Sequence, residues 1–307
     1  MEEDPWHWEC DNTRQAPPGH DVPVIDLEST SDATTTTTTA TTTKGRPVLY
    51  LFSGPSGRKD GLAAYLRAVK VGCTECDITN THLEDQDILD DSVWLRIKNK
   101  LLAGIFAFLF GSPPCRTFSP ARGSGPGPPV LRDVDYVYGY PKSQSWRRLE
   151  HHHYERIRED NLLAERTAEA CAIMDSWGRG YAVEQPEPWG GAVSMFEFDS
   201  FKKLRAAGGK LVHFHQCPYE APCTKPIIIF HKIADCSSLE LYCDHEAVWQ
   251  TRNDGSYYMA PHPSYVGKKD SKGAYLTSHL SAYPAKLNCK LAAIINKAIL
   301  DQASASS

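Results

Sequence analysis

The feature that most constrains this chain is Ile105 to Phe110, six consecutive apolar residues closed on both sides by glycine, Gly104 and Gly111. Such a run is too short to cross a membrane, and it lacks the alternation that would leave one face in water. It predicts a strand buried on both faces, the kind found in parallel sheets covered by helices. Val48 to Phe52, Cys73 to Ile78, Tyr181 to Glu184, Leu211 to Gln216 and Ile227 to Phe230 read as further strands. Segments of helical period lie between them. Leu62, Tyr65, Leu66 and Val69 recur at i, i+3, i+4 and i+7, and Leu163, Thr167, Ala170, Met174 and Trp177 line one face of a longer helix. That helix stops at Gly178 and Gly180, and Leu287, Leu291, Ile294 and Ala298 mark a closing one. Strands alternating with helices predict an α/β fold, a doubly wound and mostly parallel sheet.

Residues 1–44 differ in kind. They are acidic, carry Pro17 and Pro18, and run in threonine from Thr34 to Thr43 with only Ala40 between. Too little apolar surface is available there to offset ordering entropy, so a disordered tail is expected, with one domain over 45–307. Ala303 to Ser307, all alanine or serine, are expected to fray. No apolar run approaches the roughly 18 residues of a spanning helix, and the opening MEEDPWHWEC has no apolar core of a secretory signal. An intracellular protein, nuclear or cytoplasmic, is the expectation, with no membrane partner and no sign of more than a monomer.

Ten cysteines in 307 residues fall well below the density of a disulfide scaffold and read as reduced thiols. Cys217, Cys223, Cys236, Cys243, His245 and His262 do not match the usual zinc hooks, so they read as singletons and no metal site is expected. A formal net charge of −5 excludes binding of nucleic acid by bulk positive charge. Local basic surfaces remain: Arg147, Arg148, Arg156 and Arg158 with His151, His152 and His153, and separately Lys268, Lys269 and Lys272. Trp146 and Tyr154 interleave with the first group, as stacking residues do in single-strand binders.

In open α/β sheets the ligand crevice lies beyond the carboxyl ends of the strands. The residues at those ends here are Ser53 to Gly57, then Glu75 and Asp77, then Ser112 to Cys115, then Glu184 to Pro186. A turn of Phe52-Ser-Gly-Pro-Ser-Gly57 lets backbone approach a ligand closely, and it lacks the lysine of a phosphate-binding P-loop. Glu75 or Asp77, about 20 residues on, suits ribose hydroxyls. Cys115 stands after two prolines that hold the backbone extended, and nearby Arg116 or Arg122 could favour its thiolate. Glu184 ends an apolar strand, where burial raises a carboxyl's pKa and lets it act as an acid. Gly123 to Pro129 reads as a loop able to close over a substrate.

Phe52-Ser-Gly54, Glu75-Cys-Asp77, Gly111-Ser-Pro-Pro-Cys-Arg-Thr-Phe-Ser119 and Glu184-Gln-Pro186 together resemble the ordered motif series of the C5-cytosine DNA methyltransferases, in a divergent form like phage or retroelement relatives. The resemblance implies a Rossmann-like methyltransferase fold, with a reduced target-recognition region over about 217–283. It implies S-adenosylmethionine as cofactor, held by Phe52, Ser53, Gly54, Ser56, Gly57, Glu75, Asp77, Pro113 and Asp87, the last near the adenine amine. It further implies Cys115 as nucleophile, Glu184 on the cytosine ring, and Arg122 on the cytosine O2. DNA is the implied partner. RNA is the alternative substrate, and a catalytically impaired cofactor- or DNA-binding module is the alternative class. Two departures stand out: Ser56 replaces a customary glycine, and no Gln-x-Arg-x-Arg block is present.

Overall fold

The computed structural model describes residues 45–80, 85–122, 128–143, 149–251, 255–263, 265, 268–273, 276 and 282–305. The expected tail at 1–44, Arg147, Arg148, Trp146 and residues 123–127 of the glycine-rich loop lie outside them.

Six strands form one sheet: β1 (Val48–Leu51), β2 (Cys73–Cys76), β3 (Phe108–Gly111), β4 (Tyr181–Pro186), β5 (Lys210–His215) and β6 (Pro226–His231), in the order β2-β1-β3-β4-β6-β5. The first four are parallel to one another, with Leu51 opposite Cys76 on one side and Gly111 on the other. β6 runs antiparallel to both β4 and β5. The sheet is thus mostly parallel, as expected, with its antiparallel pairings confined to β6. The segment joining β5 to β6 holds only a short 3-10 turn, Cys217–Tyr219, and then Glu220 in the left-handed region. A parallel partner would need a crossover of a dozen residues or more, so the chain returns as a hairpin.

Successive side chains feed opposite layers. Leu49, Leu51, Leu109, Tyr181 and Val183 enter one core with α2 (Asp91–Leu102), α3 (His151–Ser176) and α4 (Asp199–Ala206). Val48, Tyr50, Phe108, Phe110 and Ala182 enter the other with α1 (Leu62–Ala68) and α5 (Ala285–Ala305). Each apolar side chain buried this way stabilises by about 1.5–3 kcal/mol, so the alternation fixes the strand register. α5 is helical through Ala305, where fraying was expected. Trp177, expected on the buried face of α3, is the C-cap residue and 49% exposed. The helix has already ended there, so its ring rests under Arg179 instead of on the core. A two-stranded sheet of β7 (Val248–Thr251) and β8 (Tyr257–Ala260) stands apart from the main sheet. Among the described residues no helix is long and apolar enough to cross a membrane.

Candidate active site at the carboxyl edge of the sheet

β1 has β2 on one side and β3 on the other, so the crossovers leaving the adjacent strands β1 and β3 run in opposite directions and open a crevice at their carboxyl ends. A cavity of about 1030 Å³ occupies that position, lined by the segments that follow all four parallel strands. The turn after β1 makes the opening. Phe52 takes a left-handed φ of 60°, and Gly54 follows at 71°. Only Gly54 does so without a Cβ penalty, and the pair turns the chain sharply off the sheet.

Cys115 and Glu184 line this same cavity. Cys115 is partly accessible, while Glu184 is 9% exposed and lies within β4, which runs on past the expected end to Pro186 because β6 pairs with it there. Burial and then the Glu184 charge push the Cys115 thiol up to about 11, with Lys225 opposing them. Burial also raises the Glu184 carboxyl, against Lys225 and a hydrogen bond from Tyr283. Lys225 lines the cavity beside both groups. Its charge acts on both groups, a role the sequence reading gave to Arg116 or Arg122. Arg116 is committed elsewhere: its Nε donates to Asp160 at 2.6 Å and its Nη2 to Glu159.

Four tethers hold the corner that carries the thiol. Gln185 Nε2 donates to the Pro113 carbonyl at 2.7 Å, which ties the Cys115 turn to the strand bearing Glu184. The Thr117 backbone N–H and Oγ1 donate to Asp160 at 3.1 and 2.6 Å, so α3 clamps the next turn. Arg132 donates to the Thr117 carbonyl and hydroxyl and stacks 3.8 Å over Phe118. Finally, Tyr283 OH donates to Glu184 Oε2 at 2.8 Å and lies 2.7 Å from Ser112 Oγ. The phenol has one proton, so Ser112 donates to Tyr283. Oε2 of Glu184 is thereby an acceptor, and Oε1 is the oxygen left to carry a proton toward a ligand.

Arg122 also lines the cavity. Its Nε donates to the Pro129 carbonyl and its Nη1 to the Arg116 carbonyl, both at 2.8 Å, while Nη2 is buried without a hydrogen-bond partner among the described residues. Gln185 Oε1 is likewise buried without one. Two orphaned polar atoms beside one cavity fit a ligand that supplies an acceptor and a donor.

The expected cofactor residues divide. Phe52, Ser53, Gly54, Asp77, Asp87 and Pro113 line the cavity. Asp77 also closes the turn, accepting from Gly54 N at 2.8 Å and from the N–H and hydroxyl of Thr79. Three expected residues do not line it. The Glu75 carboxylate is paired with Arg67 of α1, because alternation along β2 turns it away from Cys76 and the crevice. Ser56 donates its N–H to Asn80 Oδ1 at 2.6 Å, and at Gly57 the turn has already left the rim; Arg58 takes their place in the lining.

Sequence reasoning missed Asp160, Lys225 and Tyr283 as site residues. Each reaches the site from a distant part of the chain. The basic group is also revised. His153 is buried and accepts from the Glu150 N–H at the start of α3, so it caps a helix, whereas Arg156 and Arg158 remain exposed. The cysteines outside the cavity are not all singletons: Cys217 and Cys243 meet His245 and His262 with ligand atoms within 4.8 Å of one another. Comparison with known protein families finds no matching family model, and no curated protein matches the chain.

Proposed function

We propose that this chain is a DNA cytosine C5-methyltransferase that uses S-adenosylmethionine. The observation that carries the reading is the convergence of Cys115, from the turn after β3, and Glu184, from β4, on one cavity at the switch point of the sheet. That volume exceeds what a single drug-sized ligand fills, and it suits a nucleoside-containing cofactor together with one extruded base.

S-adenosylmethionine, when bound, supplies an electrophilic methyl group. The residues that would hold it are Phe52 to Pro55 with Asp77 and Asp87. The chain's own groups prepare the base. Cytosine C5 and C6 are shielded in a stacked duplex, so the base must leave the helix to reach the cavity. The Cys115 sulfur forms a bond to C6, and the displaced ring electrons move toward N3. Glu184 donates its Oε1 proton there, while Tyr283 holds Oε2 in place. The orphaned Arg122 Nη2 is the donor available for O2. C5 then takes the methyl group, N3 returns its proton to Glu184, the C5 proton passes to solvent, and the carbon–sulfur bond breaks to return the thiolate. Lys225 supplies the positive charge that the absent arginine block would otherwise contribute.

The test is transfer of label from methyl-tritiated S-adenosylmethionine to cytosine-containing DNA, with an RNA arm alongside. Transfer to DNA that disappears in Cys115→Ala supports the proposal, as does a covalent complex with 5-fluorocytosine DNA. Transfer to RNA alone moves the substrate class. Calorimetric cofactor binding with neither transfer nor trapping selects the second reading, a binding module without turnover. What favours that second reading is the thiol being held neutral at ordinary pH. Absence of cofactor binding and of transfer to either nucleic acid refutes both.

A further inference from the structure

Outside the cavity, one cluster of side chains has the composition and spacing of a metal centre. Cys217 follows β5 in a 3-10 turn and is 5% exposed. Cys243 is held against the same strand end, because its backbone N–H donates to His215 Nδ1 at 2.9 Å and His215 N donates to the Leu241 carbonyl at 2.8 Å. His245 and His262 bracket the β7–β8 hairpin, one just before β7 and the other just after β8. The Cys243 sulfur lies 3.5 Å from His245 Nδ1 and 3.4 Å from His262 Nε2, and the two imidazole centroids are 4.7 Å apart.

Those distances can be compared with a coordination sphere. Zinc binds thiolate at about 2.3 Å and imidazole at about 2.0–2.1 Å, which makes the sulfur–nitrogen edge of a tetrahedron about 3.5 Å. Both measured edges agree. From this the geometry points to a structural zinc site, Cys217, Cys243, His245 and His262, closed by four protein ligands. Two thiolates neutralise the dication and the histidines bind neutral, so no net charge is placed beside buried Cys217. Binding releases the two thiol protons to solvent.

The placement also says what the metal does. An isolated two-stranded hairpin is marginal in water, and β7 and β8 expose Val248, Trp249, Tyr257 and Met259 rather than packing them. The two cysteines belong to the sheet end and the two histidines to the ends of the hairpin. One zinc ion therefore fastens the hairpin to the main domain at both of its ends. No step of this argument uses the proposed methyl transfer, so the two readings fail independently.

The full chain, purified with zinc sulfate present and then dialysed, is expected to retain one equivalent of zinc by plasma mass spectrometry. Cobalt titrated in its place is expected to give tetrahedral d–d bands and a sulfur-to-cobalt charge-transfer band. Cys217→Ser and His262→Ala should each lower zinc retention at least tenfold, whereas Cys236→Ser, a core cysteine outside the cluster, should retain it. Should the cluster variants fail to fold, the wild type still decides: chelation should increase hydrogen exchange across 241–262, and zinc alone should reverse it. Substoichiometric zinc in the wild type, exchange that ignores the chelator, zinc retained by both variants, or a Cys217–Cys243 disulfide found by peptide mapping would each overturn the assignment.

Discussion

Replacing Glu184 by glutamine makes the proposed nucleophile more reactive in the absence of substrate, although it removes the group that should assist the reaction. The Cys115 thiol stands at about 11 against an ordinary 9.0. That gap disfavours the thiolate by about 2.7 kcal/mol. Burial is the largest cause and Glu184 the second, with Lys225 opposing both, so Glu184 contributes less than burial does, on the order of one pKa unit or about 1.4 kcal/mol. Glutamine keeps the acceptor for Tyr283 and deletes only the negative charge. Deleting a negative neighbour favours the thiolate, which lowers the thiol pKa by up to about one unit. At pH 8 the thiolate is about one part in a thousand in the wild type, and its population should rise up to about tenfold in Glu184→Gln. Lys225 acts with the opposite sign, so Lys225→Met should slow the same reaction severalfold. The assay is the pH dependence of iodoacetamide alkylation, read on the Cys115 peptide by mass spectrometry. An unchanged or slower Glu184→Gln, or two variants that shift in the same direction, would refute the pairing of sulfur, carboxyl and ammonium around one cavity.

Tyr283→Phe deletes the bond to Glu184 and that from Ser112; about 1–2 kcal/mol of lost positioning predicts roughly 5- to 30-fold slower label transfer with unchanged cofactor affinity, and a change in affinity alone would contradict the role. Asp160→Ala strands the Thr117 N–H and hydroxyl inside the protein, and a loss of about 3 kcal/mol is expected from denaturant midpoints at constant m-value, whereas less than about 1 kcal/mol would show the clamp to be dispensable. His231 is buried in β6 and pushed down to about 4, by burial first and Lys210 second. Its folded-state value is below the unfolded one, so stability is complete above about 6.5 and falls as the pH drops toward 4, by up to about 3 kcal/mol. The difference between wild type and His231→Gln, measured at pH 7 and pH 5, should show that loss only in the wild type.

How much of this was legible in the chain follows from how local each signal is. β1, β3 and β4 could be read because a strand buried on both faces leaves an unbroken apolar run. α2 went unread although Val93, Trp94, Ile97 and Leu101 are its buried face and Asp90 caps it through the Ser92 and Val93 N–H groups. The exposed Leu95 and Leu102 blur that stripe. β6 was found, but its direction could not be read, because direction is decided by the length of the preceding connection and not by the strand's own residues. β7 and β8 left little pattern because each is only four residues long and carries apolar residues at exposed positions, Val248, Trp249, Tyr257 and Met259.

The candidate site divides along the same line. Cys115 and Glu184 were visible because a strand end is a position that local pattern reveals, and prolines and glycines mark it. Asp160, Lys225 and Tyr283 carry no local mark. A single aspartate in the middle of a 26-residue helix looks like solvated surface until α3 is laid across the turn after β3. The same holds for Cys217, Cys243, His245 and His262, of which only Cys243 and His245 are close in the chain, and which meet only because β5 ends where the hairpin begins. Long-range contacts therefore supply the supports, while local pattern supplies the reacting groups. Those supports have a chemical consequence. Gln185, Asp160, Arg132 and Tyr283 fix the Cys115 corner from β4, α3, the Arg132 segment and the segment before α5, before any ligand arrives. The same enclosure that makes the corner rigid desolvates the thiol and keeps it neutral. Geometry is thus prepared in advance and charge is not. On the proposed function, a base whose N3 lies against Glu184 favours the protonated form of that carboxyl, which removes its charge beside the sulfur and couples activation of the thiol to occupancy of the site.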